Sequence, residues 1–436
     1  MKQSELKAQV NQVLKLSLPA ILTQITTILM QYIDSAMVGA LGAEASASIG
    51  LVSSTTWLFN GIPYAVAAGF SVQVAHSIGA GNEKRAKSVV KHGIFSAIVI
   101  SLIVCCVALF ISKPLPVWLG GGTEIQKDAS LYFLTFGLML PFFQMNCLAS
   151  SYLQCAGDMV TPSILNAVMC VLDVVLNAIF IPKYRVLGAG IGTALACVIV
   201  SLIMLWCCII RNPKLCLRKS QKVKFDSVIL KTAYKIGLPV AVQEIAMCGA
   251  MVATTMIVAP LGSIAIAANS FAITAESLCY MPGYGIGNAA TTLVGRSFGA
   301  GNKILAKRYG NICTALGGIF MGITGGVMML CCSFVFKFLT PDITVQNLAT
   351  EVLRIGLLAE PLFGVSIVAA GSLRGTGDTF VPSIMNLGSI WLVRIGLALV
   401  LVELLGLHGV WIAMATELCV RGLLLLYRQK TSKYYK

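Results

Sequence analysis

The sequence predicts an all-α integral membrane protein whose twelve transmembrane helices form two six-helix bundles related by pseudo-two-fold symmetry. Three observations carry this prediction: the composition, the length of the apolar runs and an internal repeat. Of the 436 residues, 57% are hydrophobic and 11% are charged, and the mean hydropathy is +0.85. So little polar surface excludes a water-soluble globule.

The apolar runs are long enough to cross a bilayer, which takes about 20 residues each. The predicted spans of the first half are 14–38, 48–76, 92–112, 130–153, 161–182 and 187–210. Those of the second half are 233–258, 264–295, 311–336, 348–372, 381–402 and 408–428. Each half therefore has six spans, numbered 1–6 and 7–12.

The second half repeats the first after 220 residues. The matched segments are Pro19 with Pro239, 79–82 with 299–302, Pro141 with Pro361, 157–158 with 377–378 and 162–164 with 382–384. Glycine and proline fix backbone positions, so their recurrence indicates a duplicated architecture. We predict an N-terminal lobe at 1–210, a basic cytoplasmic linker at 211–231 and a C-terminal lobe at 232–436. Two halves with an even number of spans share one orientation and are related by an axis along the membrane normal.

The positions of lysine and arginine predict the orientation, since cytoplasmic loops keep positive charge. The predicted inner segments hold the basic residues of 2–15, 84–91, 211–235, 296–308 and 428–436, together with Arg374. The outer loops hold only Lys113, Lys127, Lys183, Arg185 and Lys337. We expect a protein of the cell membrane with both termini in the cytoplasm. The net charge of +15 is then a signal of orientation, and no nucleic-acid partner is expected.

Most of the fifteen cysteines lie inside apolar runs and are interpreted as small buried hydrophobic residues. None shows the paired spacing of a zinc site. His76, His92 and His408 are scattered single residues near the ends of predicted helices, and no role is assigned to them. We expect no cofactor and no bound metal, apart from a transported Na⁺.

Ionisable groups within the spans differ between the two halves. The unequal pairs are Asp34 with Thr254, Gln24 with Glu244, Asp173 with Val393 and Asn177 with Leu397. A charge inside a span costs about 2.5–3.5 kcal/mol even on the lenient insertion scale. These side chains should therefore face a cavity or a partner, and transport chemistry should lie where the halves differ.

Asp34, Asp173 and Asn177 are the strongest candidates for binding a cation. Asp34 lies about 22 Å along span 1 from Pro19, and Asp173 lies about 18 Å along span 5, at the rise of 1.5 Å per residue. The spacing of four residues places Asp173 and Asn177 on one helix face. Such a group would bind Na⁺ through its oxygens or hold a proton on a carboxyl. The alternative is polar pairing between spans 1 and 5 without an ion.

Several motifs together resemble the multidrug and toxic compound extrusion (MATE) transporters. They are Leu18-Pro19, Asp34 followed by Val38-Gly39, the two Gly-Ala-Gly-Asn loops at 79–82 and 299–302, and 373–379. The resemblance covers the whole chain and is nearest to the branch of DNA-damage-inducible protein F (DinF). It implies a V-shaped pair of six-helix bundles that exports organic cations or amphipathic drugs, driven by inward Na⁺ or H⁺.

The same resemblance bears on the site residues. The acidic residue of span 1 in the DinF-like branch matches Asp34. Span 5 of that branch usually has Asn followed four residues later by Asp, which is the reverse of Asp173 and Asn177 here. Thr193, at the end of the segment 188–193 in span 6, is a further candidate for the site. The norfloxacin-resistance branch uses a glutamate in the helix that corresponds to span 7 and an aspartate in the helix that corresponds to span 10. Here Glu244 comes about a turn early and Phe363 replaces the aspartate, which argues against a second ion site.

Four further polar residues are candidates for the substrate cavity: Gln24, Glu244, Glu276 and Glu360. We expect one of the three glutamates to pair with Arg394, because unpaired charges are rare within membranes. Glu244 or Glu276 would alternatively attract a cationic drug.

The prolines and glycines predict where helices break, bend and end. Pro19 and Pro239 should break spans 1 and 7, and Pro19 is a hinge candidate, with a fixed kink as the alternative. The glycines of the Gly-Ala-Gly-Asn loops should end a helix in a left-handed turn, with Asn82 and Asn302 capping the next one. Asp158 and Asp378 should cap the helices that follow them.

The function expected is secondary active multidrug efflux by a monomer in the lipid bilayer. One rival is a lipid or lipid-linked oligosaccharide flippase, which should have further helices and a cationic cavity. The other is a membrane enzyme, for which no chemical centre is visible.

Overall fold

Every regular element of the described chain is a helix. The computed structural model describes residues 3–217 and 225–435. The first range holds α1 (Gln3–Gly39), α2 (Ala43–Gly79), α3 (Glu83–Ile111), α4 (Leu115–Trp118), α5 (Thr123–Cys155), α6 (Val160–Tyr184), α7 (Val186–Trp206) and a π-helical turn, Cys207–Arg211. The second holds α8 (Ser227–Val258), a 3₁₀ turn (Ala259–Leu261), α9 (Ser263–Gly299), α10 (Lys303–Leu339), α11 (Ile343–Leu357), α12 (Glu360–Gly375), α13 (Phe380–Gly388), a π-helical segment (Ser389–Ile395), α14 (Gly396–Leu405), α15 (Leu407–Thr431) and a 3₁₀ turn (Lys433–Tyr435).

The helices of the described ranges provide the predicted twelve spans. Eleven are long and apolar enough to cross a membrane, and the pair α11 and α12, bent by 53° at its break, makes the twelfth. Large apolar side chains such as Phe95, Phe110 and Leu330 are exposed to the surroundings. Helices satisfy their own backbone polar groups, so an apolar outer surface of this kind suits lipid. Several helices extend beyond the predicted apolar runs, as α1 does, because polar residues continue the helix past the hydrocarbon.

The two Gly-Ala-Gly-Asn loops have the predicted geometry. Gly81 and Gly301 adopt φ values of 69° and 75°, the left-handed region that favours glycine. The side chain of Asn82 accepts a hydrogen bond from Arg85 N at 3.0 Å, and that of Asn302 accepts one from Leu305 N at 2.9 Å. Both caps are confirmed, and the repeat therefore extends to local backbone geometry.

The two Gly-Asp turns differ from each other. Asp158 caps as predicted, because its carboxylate accepts hydrogen bonds from Thr161 N at 3.0 Å and from the Thr161 hydroxyl at 2.7 Å. The capping role predicted for Asp378 is wrong, since Asp378 forms an ion pair of 2.7 Å with Arg428 of α15. The residue that matches Arg428 in the repeat is Cys208, in the π-helical turn after α7, so the first half has no basic partner there. The two matching aspartates therefore make different interactions.

The chain folds as two compact units. The first-half unit is Ile25–Ala241, and the second-half unit is Met1–Gln24 with Val242–Lys436. These units differ from the predicted lobes at two helices. The beginning of α1 belongs to the second-half unit, and the beginning of α8 belongs to the first-half unit. The lobes 1–210 and 232–436 stay predictions drawn from the repeat.

Each unit includes the first part of a helix from the other half of the sequence. In the first-half unit, Ile229 and Ala233 of α8 join the core built around Tyr152, and the backbone of Ala233 contacts Gly69 so closely that a Cβ there would lie 2.6 Å from its carbonyl oxygen. In the second-half unit, α1 packs on α9, where a Cβ on Gly285 would lie 2.5 Å from Ile21 N. Small residues thus let the helix backbones approach.

The predicted linker 211–231 is shorter than expected. Its residues 218–224 lie outside the described residues, and α8 already begins at Ser227. Asp226 begins this helix, because its side chain accepts a hydrogen bond from Val228 N at 2.9 Å while its own N–H donates to Nε2 of His92, also at 2.9 Å. His92, to which the sequence assigned no role, thereby joins α3 to the start of α8.

The predicted breaks at Pro19 and Pro239 are wrong, since α1 and α8 run through both residues without interruption. A proline removes one backbone hydrogen bond, and the remaining hydrogen bonds hold a long membrane helix together. Whether Pro19 acts as a hinge stays a prediction.

Arg394 pairs with a residue that the sequence reasoning missed. Its Nη2 lies 2.8 Å from Oε2 of Glu417, and Nε of Arg421 lies 3.1 Å from the other oxygen. The prediction of a pair with Glu244, Glu276 or Glu360 is therefore wrong. Glu417 lies on α15, packed against the π-helical segment that carries Arg394, so tertiary packing decides the pairing.

Replacing Glu417 with Gln should destabilise the fold by about 3–5 kcal/mol, because two arginines would lose their shared buried counter-charge. The measurement is the midpoint of thermal unfolding in detergent. Glu351→Gln is the matched control, since the Glu351 pair with His408 is exposed and should contribute little. Equal midpoints for the two variants would contradict the prediction.

Candidate functional site

Three of the predicted site residues meet in the first-half unit. Nδ2 of Asn177 donates hydrogen bonds to Oδ1 of Asp34 at 2.8 Å and to Oδ2 of Asp173 at 3.3 Å. Asp34 comes from α1, while Asp173 and Asn177 come from one face of α6. We call these three residues the Asp–Asn group.

The Asp–Asn group depends on close packing of α7 against α6. The two helices are joined at Arg185, the described non-glycine residue with positive φ, at 53°. Gly188 of α7 then lies against the backbone of Phe180, and Gly192 lies against Asn177. A Cβ on Gly192 would overlap Oδ1 of Asn177, so glycine leaves the space that the amide occupies.

The Asp–Asn group is deeply buried and retains free acceptors. Asp173 and Asn177 are 0% exposed, and Asp34 is half-buried. Within the described residues, Oδ1 of Asp173 and Oδ1 of Asn177 have no hydrogen-bond partner. The carboxyl groups of Asp34 and Asp173 are also neighbours, and two ionised carboxylates at this proximity would repel each other. A proton or a small cation would relieve that repulsion.

Tyr132 is a neighbour of this group that the sequence reasoning missed. It lies on α5 and interacts electrostatically with both Asp34 and Asp173. A tyrosine near the start of an apolar span gives no signal of such a role, since only the packing of α5 on α7 brings it there. Thr193, in contrast, is half-buried beside Gly192, and within the described ranges its hydroxyl makes no hydrogen bond to the group. Its site role stays a prediction.

The four candidates for the substrate cavity do not form one cluster. Gln24 on α1 and Glu244 on α8 are half-buried, and Glu244 interacts electrostatically with Arg374. Glu276 on α9 and Glu360 on α12 are 4% and 0% exposed and interact with each other. Their part in substrate binding stays a prediction.

A small cavity of the second-half unit lies elsewhere. It measures about 60 Å³, and its lining residues include Arg374, Arg421, Asn288 and Asn386. None of the four predicted cavity residues lines it. The sequence reasoning placed Arg374 at a cytoplasmic turn, because the arginine follows an apolar run, and the residue type alone did not indicate that its side chain lines a cavity.

Replacing Gly192 with Ala should cost about 1–3 kcal/mol of stability, because the added methyl group displaces the amide of Asn177. Most of that cost should disappear when Asn177→Ala provides the space. The measurement is a double-mutant cycle on thermal unfolding. Gly50→Ala is the control, since Gly50 lies in a helix of the same unit with nothing within 4 Å of an added Cβ. An equal cost of Gly192→Ala in both backgrounds would refute the contact.

A family model identifies the architecture. The MatE model matches residues 19–179 and again 239–400. The two matches begin at Pro19 and Pro239, the prolines that align in the internal repeat. The duplicated unit inferred from the sequence is therefore the unit of this family.

Bacterial relatives are similar along almost the whole chain. A probable multidrug resistance protein NorM of Thermotoga maritima is 28% identical over 444 residues, which cover 98% of this chain and 93% of the relative. Another protein of that name, from Idiomarina loihiensis, is 24% identical over 99% of this chain and 96% of its own.

Solved structures share the fold at lower identity. A Vibrio cholerae MATE transporter superposes with a TM-score of 0.93 at 18% identity, over 99% of this chain and 100% of that one. A Pyrococcus furiosus transporter of the MOP superfamily, described as having a binding pocket of reverse polarity, has a TM-score of 0.89 at 20% identity, over 97% and 95% of the two chains. The family match covers well over half of the residues, and the chain belongs to the MatE family of multi-pass membrane transporters.

Proposed function

We propose that this protein exports organic cations and other amphipathic drugs from the cell, in exchange for inward-moving H⁺ or Na⁺. Membership of the MatE family supports multidrug efflux, as do relatives named multidrug resistance proteins. The single observation that carries ion coupling is the Asp–Asn group, which buries two neighbouring carboxyls and leaves two oxygens without partners. Intramembrane carboxyls most often mark ion paths.

The Asp–Asn group offers chemistry for either coupling ion. A proton would turn one carboxyl into a donor to the other, which removes the repulsion between them. Na⁺ would take oxygens from both carboxyls and from the Asn177 amide. Exchange of this ion for a drug requires that its binding favours one of two conformations. The protein needs no further cofactor for this cycle, and its activity is transport and not catalysis.

The orientation proposed places both termini in the cytoplasm of a cell-membrane protein. The support is the excess of lysine and arginine in the segments predicted to be inside, compared with five basic residues in the outer loops. The protein would act as a monomer with drugs and lipid as its partners and without nucleic acid.

Helix α1 is the element through which we propose that the ion acts. The boundary between the compact units crosses α1 after Gln24 and α8 after Ala241, shortly after Pro19 and Pro239 respectively. Binding of an ion at Asp34 would then bias the bending of α1 near Pro19. The alternative, a proline that only fixes the shape of the helix, makes the opposite prediction on mutation.

A lipid or lipid-linked oligosaccharide flippase is the second candidate. The observation in its favour is the cavity with two arginines, because a flippase of that kind needs a cationic site for phosphate. The twelve spans and the buried carboxyls favour the exporter.

Replacing Asp34 with Asn should abolish gradient-driven efflux of a cationic dye from proteoliposomes. The substitution keeps the size of the side chain and removes the charge that a proton or Na⁺ neutralises. Dye movement is followed by fluorescence under an imposed pH gradient and, separately, under a Na⁺ gradient, so that the wild type identifies its ion. Glu124→Gln is the control, since Glu124 is an exposed acid of the same unit. Full coupled efflux by the Asp34 variant would exclude the group as the coupling site, and no movement by the wild type under either gradient would favour the flippase.

Replacing Pro19 with Ala should slow dye efflux several-fold while dye binding stays unchanged, because alanine adds the backbone hydrogen bond that proline lacks and makes α1 harder to bend. The same proteoliposome assay and an equilibrium dye titration separate the two effects. Pro63→Ala is the control, since Pro63 lies inside α2, a helix that belongs wholly to the first-half unit. Efflux at the wild-type rate would leave Pro19 as a fixed kink.

A further inference from the structure

The cavity of the second-half unit is chemically distinct from the Asp–Asn group. It lies among α8, α9, α12, α13 and α15, and its lining contains two arginines and no acidic side chain. The other polar groups of the lining include the side chains of Gln243, Asn288, Ser366 and Asn386. The cavity therefore presents positive charge together with neutral polar groups.

Arg421 contributes charge that its partner only half neutralises. Glu417 lies between two arginines, with Oε2 at 2.8 Å from Arg394 and Oε1 at 3.1 Å from Arg421. The hydroxyl of Ser389 also donates a hydrogen bond to Oε1 of Glu417, at 2.8 Å. One carboxylate and two guanidinium groups in direct contact leave a formal charge of +1, while Glu276 attracts both arginines without an ion pair to either in the described part of the chain. Arg421 is held in place by the Phe363 ring, with the guanidinium carbon 5.2 Å from the ring centroid.

Arg374 lacks a direct partner in the described part of the chain. Its guanidinium interacts electrostatically with Glu244 and Tyr284, yet it makes no ion pair or hydrogen bond to either of them. An unpaired guanidinium inside a membrane protein is costly, and such residues usually mark a path for a ligand or an ion. Arg374 has five N–H donors in a planar fork that matches a carboxylate.

The shape of the cavity limits what Arg374 can bind. The space open to a water-sized sphere is about 60 Å³, and the lining follows α12 from Phe363 to Arg374, which is about 16 Å at 1.5 Å per residue. A narrow space of this kind receives one end of a molecule beside Arg374. A diphosphate would bring more negative charge than Arg374 and the partly neutralised Arg421 balance. The ligand is therefore a small anionic group on a larger molecule.

We propose that this cavity binds the carboxylate of a transported amphipathic molecule, with Arg374 as its bidentate partner and Arg421 beside it. Compounds that carry a free carboxylate, such as zwitterionic drugs, gain affinity from this contact, whereas purely cationic compounds do not. The proposal deepens the proposed function, since it rests on drug export and assigns a class of substrate.

The test compares two dyes that differ only at the carboxyl group. Rhodamine B carries a free carboxylate, and its ethyl ester masks it. Fluorescence anisotropy gives the Kd of each dye for the protein in phosphatidylcholine nanodiscs. Arg374→Gln should weaken rhodamine B binding by about tenfold or more and change ester binding less than about twofold, since a hydrogen-bonded charge is lost. The affinity of Arg374→Lys for rhodamine B should lie between those of the wild type and Arg374→Gln, because lysine keeps the positive charge without the planar guanidinium fork.

Arg354→Gln is the matched control, as it removes an exposed arginine from the same unit and should leave both affinities unchanged. Equal weakening of both dyes by Arg374→Gln, or no change in rhodamine B binding, would overturn the proposal.

A measurement on the wild type keeps the proposal testable if Arg374→Gln does not fold. Excess benzoate should displace rhodamine B and leave the ester bound. Displacement of both dyes or of neither would refute the carboxylate site, and displacement by geranyl diphosphate at a tenfold lower concentration than benzoate would reassign the cavity to a lipid diphosphate. Efflux of the ester from proteoliposomes tests the proposed function separately, because the ester does not need this cavity.

Discussion

A charge placed in the hydrocarbon of a bilayer must be neutralised within the protein, and the interior of this chain is arranged around that constraint. Within the predicted spans, Glu417 is shared by Arg394 and Arg421. At the predicted cytoplasmic end of α15, Asp378 is likewise paired with Arg428. These contacts hold α15 against its neighbours. Where neutralisation is incomplete, the structure retains a charge or a free acceptor that a ligand can satisfy.

The charge that lacks a direct counter-charge is negative in the first-half unit and positive in the second-half unit. In the first-half unit, Asp34 and Asp173 share only the neutral amide of Asn177, so the group is suited to a cation. In the second-half unit, Arg374 has only indirect attraction from Glu244, and the cavity beside it is suited to an anion. The duplicated unit supplies the same helices and loops to both halves, and substitutions at a few interior positions gave them different chemistry.

The sequence was sufficient for the fold because the repeat and the apolar runs are properties of the chain itself. The caps at Asn82 and Asn302 followed for the same reason, since a helix cap depends on residues only three apart. The pairing of Asp173 and Asn177 on one helix face was predictable from their spacing, and Asp34 was grouped with them as a candidate cation site.

The remaining features depend on packing between distant segments. Glu417 is separated from Arg394 by 23 residues, and no pattern in the sequence distinguishes it from the three glutamates that were considered instead. The space that Gly192 leaves for Asn177 and the approach of Tyr132 depend on how α5, α6 and α7 pack. Arg374 is close to the end of a helix, where an arginine usually reaches solvent, and only the tertiary structure shows that it lines a cavity.

Helix α1 links the Asp–Asn group covalently to the second-half unit. Its part before Gln24 belongs to that unit, where the backbone of Ile21 lies against Gly285, whereas Asp34 belongs to the first-half unit. The close contact at Gly285 leaves little freedom to shift along α9, because even a methyl group there would collide with α1. A change in the preferred position of Asp34 must therefore be absorbed between Ile21 and Asp34, or it must displace the start of α1 together with the second-half unit. A ligand can drive such a change only by the difference in its affinity for the two arrangements, so under the proposed ion coupling the free acceptors of Asp173 and Asn177 would have to bind the ion differently in each.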